Sequence, residues 1–434
     1  MSIDASINKL GIESLNAMQR ETIDAVLHTD NDVVVLSPTG TGKTFAYLLP
    51  MVEVMNDDNL SAIVVVPGRE LALQSCEVMK SLGCGLRAMA LYGGRPTMDE
   101  HRELRKVQPH IVFGTPGRLN DHIAKGNFPV DGVRYLVIDE FDKCLEMGFM
   151  DEMTTLIKSL PAVRRRILLS ATESEAIPRY VNMQRVSRID HRTEDAERIH
   201  IYKVESQSKD KLPVLEQLLL DLGDESTVVF LNHRESVERT AAYLQEKGFG
   251  VSLFHGGLEQ PQREAALYRF ANGSANILVT TDLASRGLDV PDINNVIHYH
   301  LPETQDNYTH RIGRTARWDR QGRAFFLLNG SEHLPDYVTD DLADYEITHA
   351  NATPAKPKMV TLYIGKGKKD KLSKGDIVGF LCKKGGLQGS EIGKISIMER
   401  YTYVAVSRQR VKSVLANVSG EKIKGVKTIV EIVR

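Results

Sequence analysis

The stretch Leu36-Ser37-Pro38-Thr39-Gly40-Thr41-Gly42-Lys43-Thr44 decides the fold of this chain. β-type residues, 32–36, lead into it, and a helix-compatible run from Phe45 to Met55 follows it. A strand, a glycine-rich loop and a helix in this order predict a P-loop, because glycines let backbone N–H groups close around phosphate oxygens. The alternative is a chance glycine turn before a helix, which the Gly-Lys-Thr ending after a strand disfavours.

Side chains at the end of the loop have predicted roles in holding a nucleotide. The Lys43 ammonium can reach the β- and γ-phosphates, and the Thr44 hydroxyl can ligate Mg²⁺. The preceding residues Thr39, Gly40, Thr41 and Gly42 form the predicted phosphate cradle. The N-terminus of the following helix adds partial positive charge. One residue departs from the general pattern, since Ser37 stands where a glycine usually opens the loop.

The composition bounds the class of protein. The chain has 434 residues, of which 42% are hydrophobic and 26% are charged, as in ordinary globular proteins. No apolar run approaches the roughly 18 residues of a membrane helix, and the N-terminus does not resemble a signal peptide. Four cysteines lie without metal-ligand spacing, which favours reduced thiols. These features predict a cytoplasmic protein with two or three domains and no membrane contact.

The small net charge of −2 hides a strong asymmetry along the chain. Residues 358–434 contain 17 Lys and Arg against 6 Asp and Glu, a net charge of +11, and the remainder has a net charge of −13. A basic tail on an acidic body predicts a polyanionic partner held by the tail. A solvated basic surface without a partner is the alternative.

Apolar β-type runs alternate with helix-like stretches from about residue 30 to 330. The predicted strands are Ala62–Val66, Ile111–Phe113, Tyr135–Ile138, Ile167–Leu169, Thr227–Leu231, Ile277–Val279 and Val296–His300, and the predicted helices include Glu70–Leu82, Glu235–Lys247 and Gln262–Ala271. This alternation predicts parallel sheets covered by helices on both faces. Polar residues 190–200 and proline-containing residues 349–358 are predicted linkers. The predicted domains are therefore 1–195, 200–348 and 358–434.

Two adjacent carboxylates follow the predicted strand that ends at Ile138. Residues at the carboxyl end of a strand face the ligand side of a parallel sheet. Asp139 can hold Mg²⁺ through water, and Glu140 can orient or deprotonate an attacking water. The pair alone would equally fit a solvated strand end, but together with the P-loop it indicates nucleotide hydrolysis.

Asp139-Glu140-Phe141-Asp142 resembles the Asp-Glu-Ala-Asp box of DEAD-box RNA helicases, and further motifs extend the resemblance over nearly the whole chain. The resemblance implies an α/β fold with two RecA-like domains in tandem. It also implies an ATP hydrolase that uses ATP and Mg²⁺ and unwinds short RNA duplexes locally, with catalytic roles for Lys43 and Glu140. Gln19 occupies the position of the family's adenine-reading glutamine.

Other motifs of the first half resemble the family's RNA-contacting segments. They are Pro67-Gly68-Arg69-Glu70-Leu71, Gly93-Gly94 and Thr115-Pro116-Gly117-Arg118. The resemblance implies RNA contacts by Arg69, Gly94, Thr115 and Arg118. Ser170-Ala171-Thr172 is similar to the motif that links hydrolysis to unwinding, so Ser170, Thr172 and Asp142 are the implied coupling residues.

Motifs of the second half complete the resemblance. They are His255-Gly256 with Gln260 and Arg263, then Thr280-Thr281-Asp282 with Arg286-Gly287 and Asp289, and then His310-Arg311-Ile312-Gly313-Arg314-Thr315-Ala316-Arg317. They imply RNA contacts by Gly256, Gln260, Arg263 and Thr280, a nucleotide contact by Asp289, coupling by His310, and arginine fingers at Arg314 and Arg317. Surface charge is the alternative for the two arginines. The fingers would act when the two domains close.

Four features depart from the family pattern. Phe141 replaces the alanine of the box and is expected to change packing without loss of chemistry. Gly68 replaces a threonine that would help bind an RNA phosphate. Asn16 stands in for a hydroxyl that would contact the P-loop, and the family's upstream aromatic is not evident near Ser2 or Ile3.

The basic tail has a βαββαβ-like order, which predicts a small α+β module of the RRM type. Its predicted elements are strands at 359–364, 393–396, 401–406 and 428–433 and helices at 373–382 and 408–417. Tyr401 and Tyr403 alternate onto one sheet face and are candidate platforms for base stacking, or else core or ordinary surface residues. Segment 392–395 and the basic loops resemble the C-terminal domain of the DbpA subgroup, which is tethered to a hairpin of 23S ribosomal RNA.

The resemblance implies a monomeric RNA helicase that binds 23S ribosomal RNA and pre-50S particles during assembly of the large ribosomal subunit. Two alternatives stay open from the sequence. One is a general RNA chaperone for cold stress or RNA decay. The other is a nucleotide-gated RNA clamp that hardly unwinds.

Overall fold

The computed structural model describes residues 3–10, 12, 14–38, 40–55, 59–94, 96–172, 179–192, 199–282, 293–315, 321–338, 342–348 and 352–433. The chain divides into two compact units. The first comprises residues up to 198, and the second most of the remainder, including the whole basic tail. In the described part of the chain, no helix is both long enough and apolar enough to span a bilayer.

The first unit is built on a parallel sheet that has seven strands in the described residues. Its strands are β1 (Asp32–Leu36), β2 (Ala62–Val65), β3 (Ala88–Leu91), β4 (Ile111–Gly114), β5 (Tyr135–Ile138), β6 (Arg165–Ser170) and β7 (Val186–Asp190). Its helices are α1 (Ile3–Leu10), α2 (Ala17–His28), α3 (Lys43–Val54), α4 (Arg69–Leu82), α5 (Thr97–Val107), α6 (Pro116–Ala124), α7 (Phe141–Glu146) and α8 (Met150–Lys158). The strand order β3-β4-β2-β5-β6-β1-β7 places the P-loop strand β1 beside β6, near the strand that precedes Asp139.

Strand β1 shows why this sheet is covered on both faces. Val33 and Val35 lie in one apolar cluster, and Val34 and Leu36 lie in another on the opposite face. Successive strand side chains point to opposite faces, so a run of five buried residues requires packing on both sides. The carboxyl ends of the strands remain at one edge, where the loops that carry the motifs begin.

The second unit begins with another parallel sheet of seven strands among the described residues. Its strands are β8 (Ile199–Ser206), β9 (Thr227–Leu231), β10 (Val251–Phe254), β11 (Ile277–Thr281), β12 (Asn295–His298), β13 (Gly322–Asn329) and β14 (Ala343–Asp344). The helices are α9 (Leu212–Leu222), α10 (Arg234–Glu246), α11 (Gln260–Ala271) and α12 (Gln305–Ile312). The order β10-β11-β9-β12-β13-β8-β14 repeats the first architecture, so the predicted tandem α/β fold is confirmed.

The basic tail folds as a four-stranded antiparallel sheet with two helices. The strands are β15 (Met359–Ile364), β16 (Ile392–Ile397), β17 (Thr402–Ser407) and β20 (Val430–Ile432), and the helices are α13 (Lys374–Lys383) and α14 (Val411–Val418). Alternate residues such as Leu362 and Val404 pack on both helices in one apolar cluster. The predicted α+β module is confirmed, and its βαββαβ order is the one expected from the sequence.

Several boundaries differ from the sequence-based expectation. The second tail helix begins at Val411 rather than Arg408, because Ser407 to Arg410 form a turn closed by the Arg410 N–H and the Ser407 carbonyl. A small hairpin, β18 (Lys422–Ile423) and β19 (Val426–Lys427), was not predicted. Its two turn residues, Lys424 and Gly425, have φ angles of 50° and 79°, which suits a tight hairpin. The first predicted linker is shorter than expected, since β7 ends at Asp190 and β8 starts at Ile199.

Candidate functional site

The P-loop leaves the carboxyl end of β1 and turns into α3. Gly40 and Gly42 have φ angles of 88° and 82°, in the left-handed region where a side chain is strained. A Cβ atom on Gly42 would also lie only 2.4 Å from Nε2 of Gln19. Both glycines are therefore required by the backbone turn, and Gly42 also by the packing of α2 against the loop.

Lys43 and Ser37 shape the interior of this loop. The Lys43 ammonium is 8% exposed and donates to the carbonyl oxygens of Ser37 and Pro38, at 2.6 and 2.7 Å. The buried Ser37 hydroxyl donates to Oγ1 of Thr41 at 2.7 Å, and that hydroxyl donates to the Pro38 carbonyl at 2.9 Å. Ser37, the departure from the usual glycine, thus braces the loop from within. Thr39 lies outside the described residues.

Helix α2 holds the loop from the other side. The Asn16 amide donates to the Thr41 carbonyl at 2.8 Å, so Asn16 makes the loop contact for which the family uses a hydroxyl. Gln19 Nε2 donates to the Gly42 carbonyl at 3.2 Å, and its Oε1 accepts from the Asn16 backbone N–H at 3.1 Å. Gln19 is 1% exposed. Its adenine-reading role stays a prediction, and in this structure its amide connects the helix cap to the P-loop.

The carboxylate pair follows β5 at the same sheet edge. Asp139 is buried, and its Oδ1 accepts the Glu140 backbone N–H at 3.0 Å. Glu140 has a φ angle of 51°, an uncommon left-handed conformation for a residue with a side chain, which turns the chain sharply into α7. Burial and the charge of Glu140 raise the pKa of Asp139 to about 7, and the Lys43 ammonium opposes that rise.

A divalent cation would favour the charged form of Asp139, because an opposite charge within a few ångströms stabilises a carboxylate. The buried Asp139 carboxylate and the Thr44 hydroxyl are hard oxygen ligands of the kind that Mg²⁺ prefers. The residues present therefore fit a magnesium ion that would otherwise be held by phosphate oxygens and water. Bound there, the ion would neutralise charge on the transferred phosphoryl group.

The other two residues of the acidic box, Phe141 and Asp142, lie in different surroundings. Phe141 is 2% exposed and belongs to the apolar cluster that also contains Ile138. Asp142 points the other way, and its Oδ2 accepts from the Thr172 hydroxyl at 3.1 Å. The Ser170 hydroxyl donates to the Thr172 carbonyl at 2.7 Å. The predicted coupling residues of the first domain are therefore joined by direct hydrogen bonds.

Predicted RNA-contacting residues of the first domain gather where β2, β3 and β4 end. Arg69 begins α4, Thr115 caps α6, and a Cβ on Gly94 would lie 2.7 Å from Nη1 of Arg69. The Arg118 Nε donates to the Tyr92 carbonyl at 3.1 Å, just before Gly93-Gly94. The structure thus brings all three motifs of this half to one edge of the sheet.

Glu100, which sequence reasoning missed, holds two of these motifs together. Its carboxylate is fully buried and accepts from the Tyr92 backbone N–H at 3.2 Å on Oε1. Its Oε2 lies 3.3 Å from Nε of Arg118 and 2.9 Å from Nε2 of the buried His122. Glu100 lies in α5, outside every family motif. One glutamate in a helix rich in charged residues gives no sequence signal of burial.

The second domain contains another ion pair, with a buried arginine, that the motifs did not reveal as a pair. Arg311 is 1% exposed and bonds both carboxylate oxygens of Asp282, at 2.6 and 2.7 Å. It also donates to the His300 carbonyl at 2.6 Å and to Oδ1 of Asn232 at 2.8 Å. Arg311 and Asp282 belong to different quoted motifs, so this bidentate bond fixes β11 and α12 against each other.

The structure also locates most of the other predicted site residues of this domain. Gln260 begins α11, and the Arg263 guanidinium lies 5.2 Å from the centre of the Phe254 ring. Gly256 lies beside Arg234, and His310 and Arg314 are mostly buried. Thr280 is fully buried, and its hydroxyl donates to the Thr281 carbonyl. The RNA contact at Thr280 therefore stays a prediction, and Arg317 and Asp289 lie outside the described residues.

The candidate stacking platforms in the tail are covered by another part of the same unit. Tyr403 is 5% exposed, and its ring centre lies 5.3 Å from that of Tyr268 in α11. The Tyr401 hydroxyl donates to Oε2 of Glu264, also in α11, at 2.6 Å. In this arrangement no base can stack on Tyr403, because a helix of the second domain occupies that side of the sheet. Alternation predicted the shared face correctly but not what covers it.

Comparison with known proteins places these features in a family. Residues 16–179 match the DEAD/DEAH box helicase model, residues 210–319 the helicase conserved C-terminal domain and residues 361–432 the DbpA RNA binding domain. The chain is 36% identical to the ATP-dependent RNA helicase DbpA of Escherichia coli, with 97% of this chain and 94% of that protein covered. Identity to the ATP-dependent RNA helicase DbpA of Bacillus subtilis is 31%, with 97% and 95% covered.

Solved structures of other proteins show the same fold. The DEAD-box helicase Mss116 bound to single-stranded RNA and UDP-BeF superimposes with a TM-score of 0.71 at 26% identity, over 80% of this chain and 78% of that chain. The Saccharomyces cerevisiae Dbp5 structure, at 23% identity and a TM-score of 0.70 over 79% of this chain and 93% of that one, shows the shared fold. The chain therefore belongs to the DEAD-box ATP-dependent RNA helicases of the DbpA type, ATP-hydrolysing enzymes with a C-terminal RNA-binding domain.

Proposed function

We propose that this helicase unwinds short RNA duplexes locally while its C-terminal module tethers it to 23S ribosomal RNA during assembly of the large ribosomal subunit. The observation that carries the proposal is the basic module, with its charge of +11, joined to a helicase that is similar over nearly its full length to two bacterial DbpA proteins. We further propose that the protein works as a cytoplasmic monomer, with domains at residues 1–195, 200–348 and 358–434.

Lysines on two loops of the module support the tether. Six of them, Lys368, Lys369, Lys371, Lys422, Lys424 and Lys427, are exposed. The two loops touch, because the Lys424 ammonium donates to the Lys371 carbonyl at 3.0 Å. They form one basic surface, which we call the lysine surface. Phosphate contacts by lysines release counterions and bind RNA strongly at low salt.

In the proposed reaction, ATP binds at the P-loop with its β- and γ-phosphates near Lys43. Thr44 and Asp139 would hold Mg²⁺, which would neutralise charge on the phosphates. Glu140 orients and deprotonates the attacking water, a role worth about 10²- to 10⁴-fold in rate. Arg314 and Arg317 stabilise charge on the γ-phosphate in the transition state, and such arginines contribute about 10³- to 10⁵-fold. The hydrogen bond between Asp142 and Thr172 supports the proposed role of these residues in coupling hydrolysis to unwinding.

RNA would be held through phosphates by Arg69, Gly94, Thr115 and Arg118 of the first domain, and by Gly256, Gln260, Arg263 and Thr280 of the second. Contacts of this kind position a strand without reading its sequence. Specificity for one RNA must then come from the tail, which agrees with the absence of any ATPase motif beyond residue 348.

The test replaces Lys368 and Lys369 by glutamine in the full chain and measures ATPase activation by 23S ribosomal RNA and by poly(U) across a salt series. The matched control replaces Lys383 and Lys412, which are also exposed but belong to the tail helices. Loss of two phosphate contacts should make the log–log salt slope shallower by about 1.4 to 1.8 and remove the preference for 23S RNA.

Three results would count against the proposal. Equal activation of the wild type by both RNAs would favour a general RNA chaperone. An equal effect of the control pair would show that only net charge matters. ATP-dependent RNA binding without strand displacement would identify a nucleotide-gated clamp.

A further inference from the structure

Helix α11 of the second helicase domain packs against the face of the tail sheet that the two tail helices leave uncovered. The buried Tyr268 hydroxyl lies within hydrogen-bond distance of two carbonyl oxygens, that of Tyr403 at 3.2 Å and that of Lys394, which share its one proton. Its ring packs on the Tyr403 ring. Tyr268 therefore contacts strand β17 with its ring and its hydroxyl, and the adjacent strand β16 with its hydroxyl.

A second set of contacts lies past the end of the helix. The Asn272 amide donates to Oγ1 of Thr361 at 2.9 Å, and that hydroxyl donates to Oγ of Ser274 at 2.9 Å. Thr361 and Ser274 are both buried. Buried polar groups that are satisfied across a boundary specify one relative placement of the two parts, because any shift leaves them unpaired.

The Glu264 carboxylate joins the tail to a residue of the predicted RNA-contacting motif. Its Oε2 accepts from the Tyr401 hydroxyl at 2.6 Å, and its Oε1 accepts from Nε2 of Gln260 at 3.0 Å. Gln260 and Arg263 lie in the first turn of the same helix whose later turns hold the tail. One rigid element thus carries the proposed RNA grip at its start and the docking contacts along the rest of its length.

We propose that α11 couples RNA held by the C-terminal module to the RNA grip of the second helicase domain, with Tyr268 and Glu264 as positioning residues. The coupling rests on the proposed function, in which the tail tethers 23S RNA and Gln260 and Arg263 contact the unwound strand. A tail fixed on α11 presents tethered RNA at one orientation and at high effective concentration, whereas a loosely linked tail would spread it over many orientations. The covered face of the tail sheet is thereby a docking surface and not a base-reading surface.

The experiment compares Tyr268→Ala with wild type in the full chain. It measures RNA affinity without nucleotide, and the RNA concentration dependence of ATP turnover, with 23S ribosomal RNA and with poly(U). We expect Tyr268→Ala to keep affinity for 23S RNA within twofold and to lower kcat/KM for 23S RNA about tenfold. Turnover with poly(U), which the tail does not select, should change less than twofold.

Two further variants separate coupling from simple damage to the fold. Tyr268→Phe keeps the ring and loses only the hydroxyl, so it should fall between wild type and Tyr268→Ala. Tyr243→Phe is the matched control, because it also removes a tyrosine hydroxyl that donates a hydrogen bond, in this case to Glu216 within the same domain and away from the tail. The control should leave both RNAs unaffected.

The outcomes distinguish this inference from the function on which it rests. A loss confined to 23S RNA supports coupling. An equal loss with both RNAs would reduce Tyr268 to a structural residue, and unchanged kcat/KM with 23S RNA would overturn the coupling while leaving the tether intact. A wild-type chain that treats both RNAs alike would refute the tether and the coupling together.

Discussion

The ATP-binding edge of the first sheet and the helix-free face of the tail sheet were both marked by short motifs, but the tail face is covered by a helix from another part of the same unit. At the first, Gly42, Lys43, Asp139 and Glu140 gather at the carboxyl ends of parallel strands. At the second, Tyr401 and Tyr403 share a face that α11 covers. Parallel-sheet topology leaves the carboxyl edge open for ligands, whereas nothing in a strand's alternation keeps its exposed face free.

The largest effect that tests the first region is expected from Glu140→Gln. The amide keeps the shape of the side chain but cannot act as a base, so RNA-stimulated phosphate release should fall about 100-fold or more. ATP-dependent RNA binding should persist, because Lys43 and the P-loop are untouched. Turnover near that of wild type would remove Glu140 from its assigned role.

Phe141→Ala restores the family's usual box. The variant tests whether Phe141, which lies between Glu140 and Asp142 in the sequence, is purely a packing residue. Because Phe141 is buried in the core, the truncation should destabilise the protein by about 3 to 5 kcal/mol. Urea unfolding measures that loss. Turnover of the folded fraction at low temperature should stay within a few-fold of wild type, and a 100-fold fall without lost stability would assign Phe141 to the chemistry.

Tyr403→Leu tests the tail face directly. If Tyr403 stacked on a base, its loss would weaken RNA binding by about 1 to 3 kcal/mol. The structure instead predicts an affinity for 23S RNA within about twofold of wild type, measured without nucleotide, since the ring contacts Tyr268. A tenfold weaker affinity with unchanged unfolding behaviour would restore the stacking role.

Asn16→Ala should have the smallest effect, and it tests how much the contact of Asn16 with the P-loop contributes to ATP binding. The variant loses both the helix cap and the donor to the Thr41 carbonyl, a cost of about 1 kcal/mol. KM for ATP should rise a few-fold, with kcat nearly unchanged. Asn16→Ser, which retains a capping oxygen and supplies the family's hydroxyl, is the control and should recover most of the affinity.

Much of the fold was predictable from local pattern. The predicted strands Tyr135–Ile138 and Thr227–Leu231 match β5 and β9 to the residue, because buried parallel strands read as continuous β-branched and apolar runs. Strands β3 and β8 were missed for opposite reasons. β3 is Ala-Met-Ala-Leu, without β-branched residues, and β8 mixes charged residues with apolar ones beside the predicted linker.

The site residues also differ in how well the sequence alone reveals them. Residues with backbone tasks, such as Gly40 and Gly42, are recognisable because few other residues tolerate those φ angles. Glu100 and the pairing of Arg311 with Asp282 were not recognisable, because a buried ion pair is made by residues far apart in the chain. Thr280 is assigned to RNA by its motif, and only the structure shows that its side chain is buried.

The order of residues in this chain was enough to define two RecA-like domains, a basic RNA-binding module, the P-loop and the acidic box, since each depends on chain-local geometry and residue chemistry. Only the tertiary structure decided that Gln19 and Asn16 brace the P-loop, that Glu100 joins two RNA-side motifs, and that α11 covers the tyrosines of the tail. Those outcomes depend on which buried polar and aromatic groups meet across long stretches of chain. That pairing is set by packing in three dimensions and not by any spacing along the sequence.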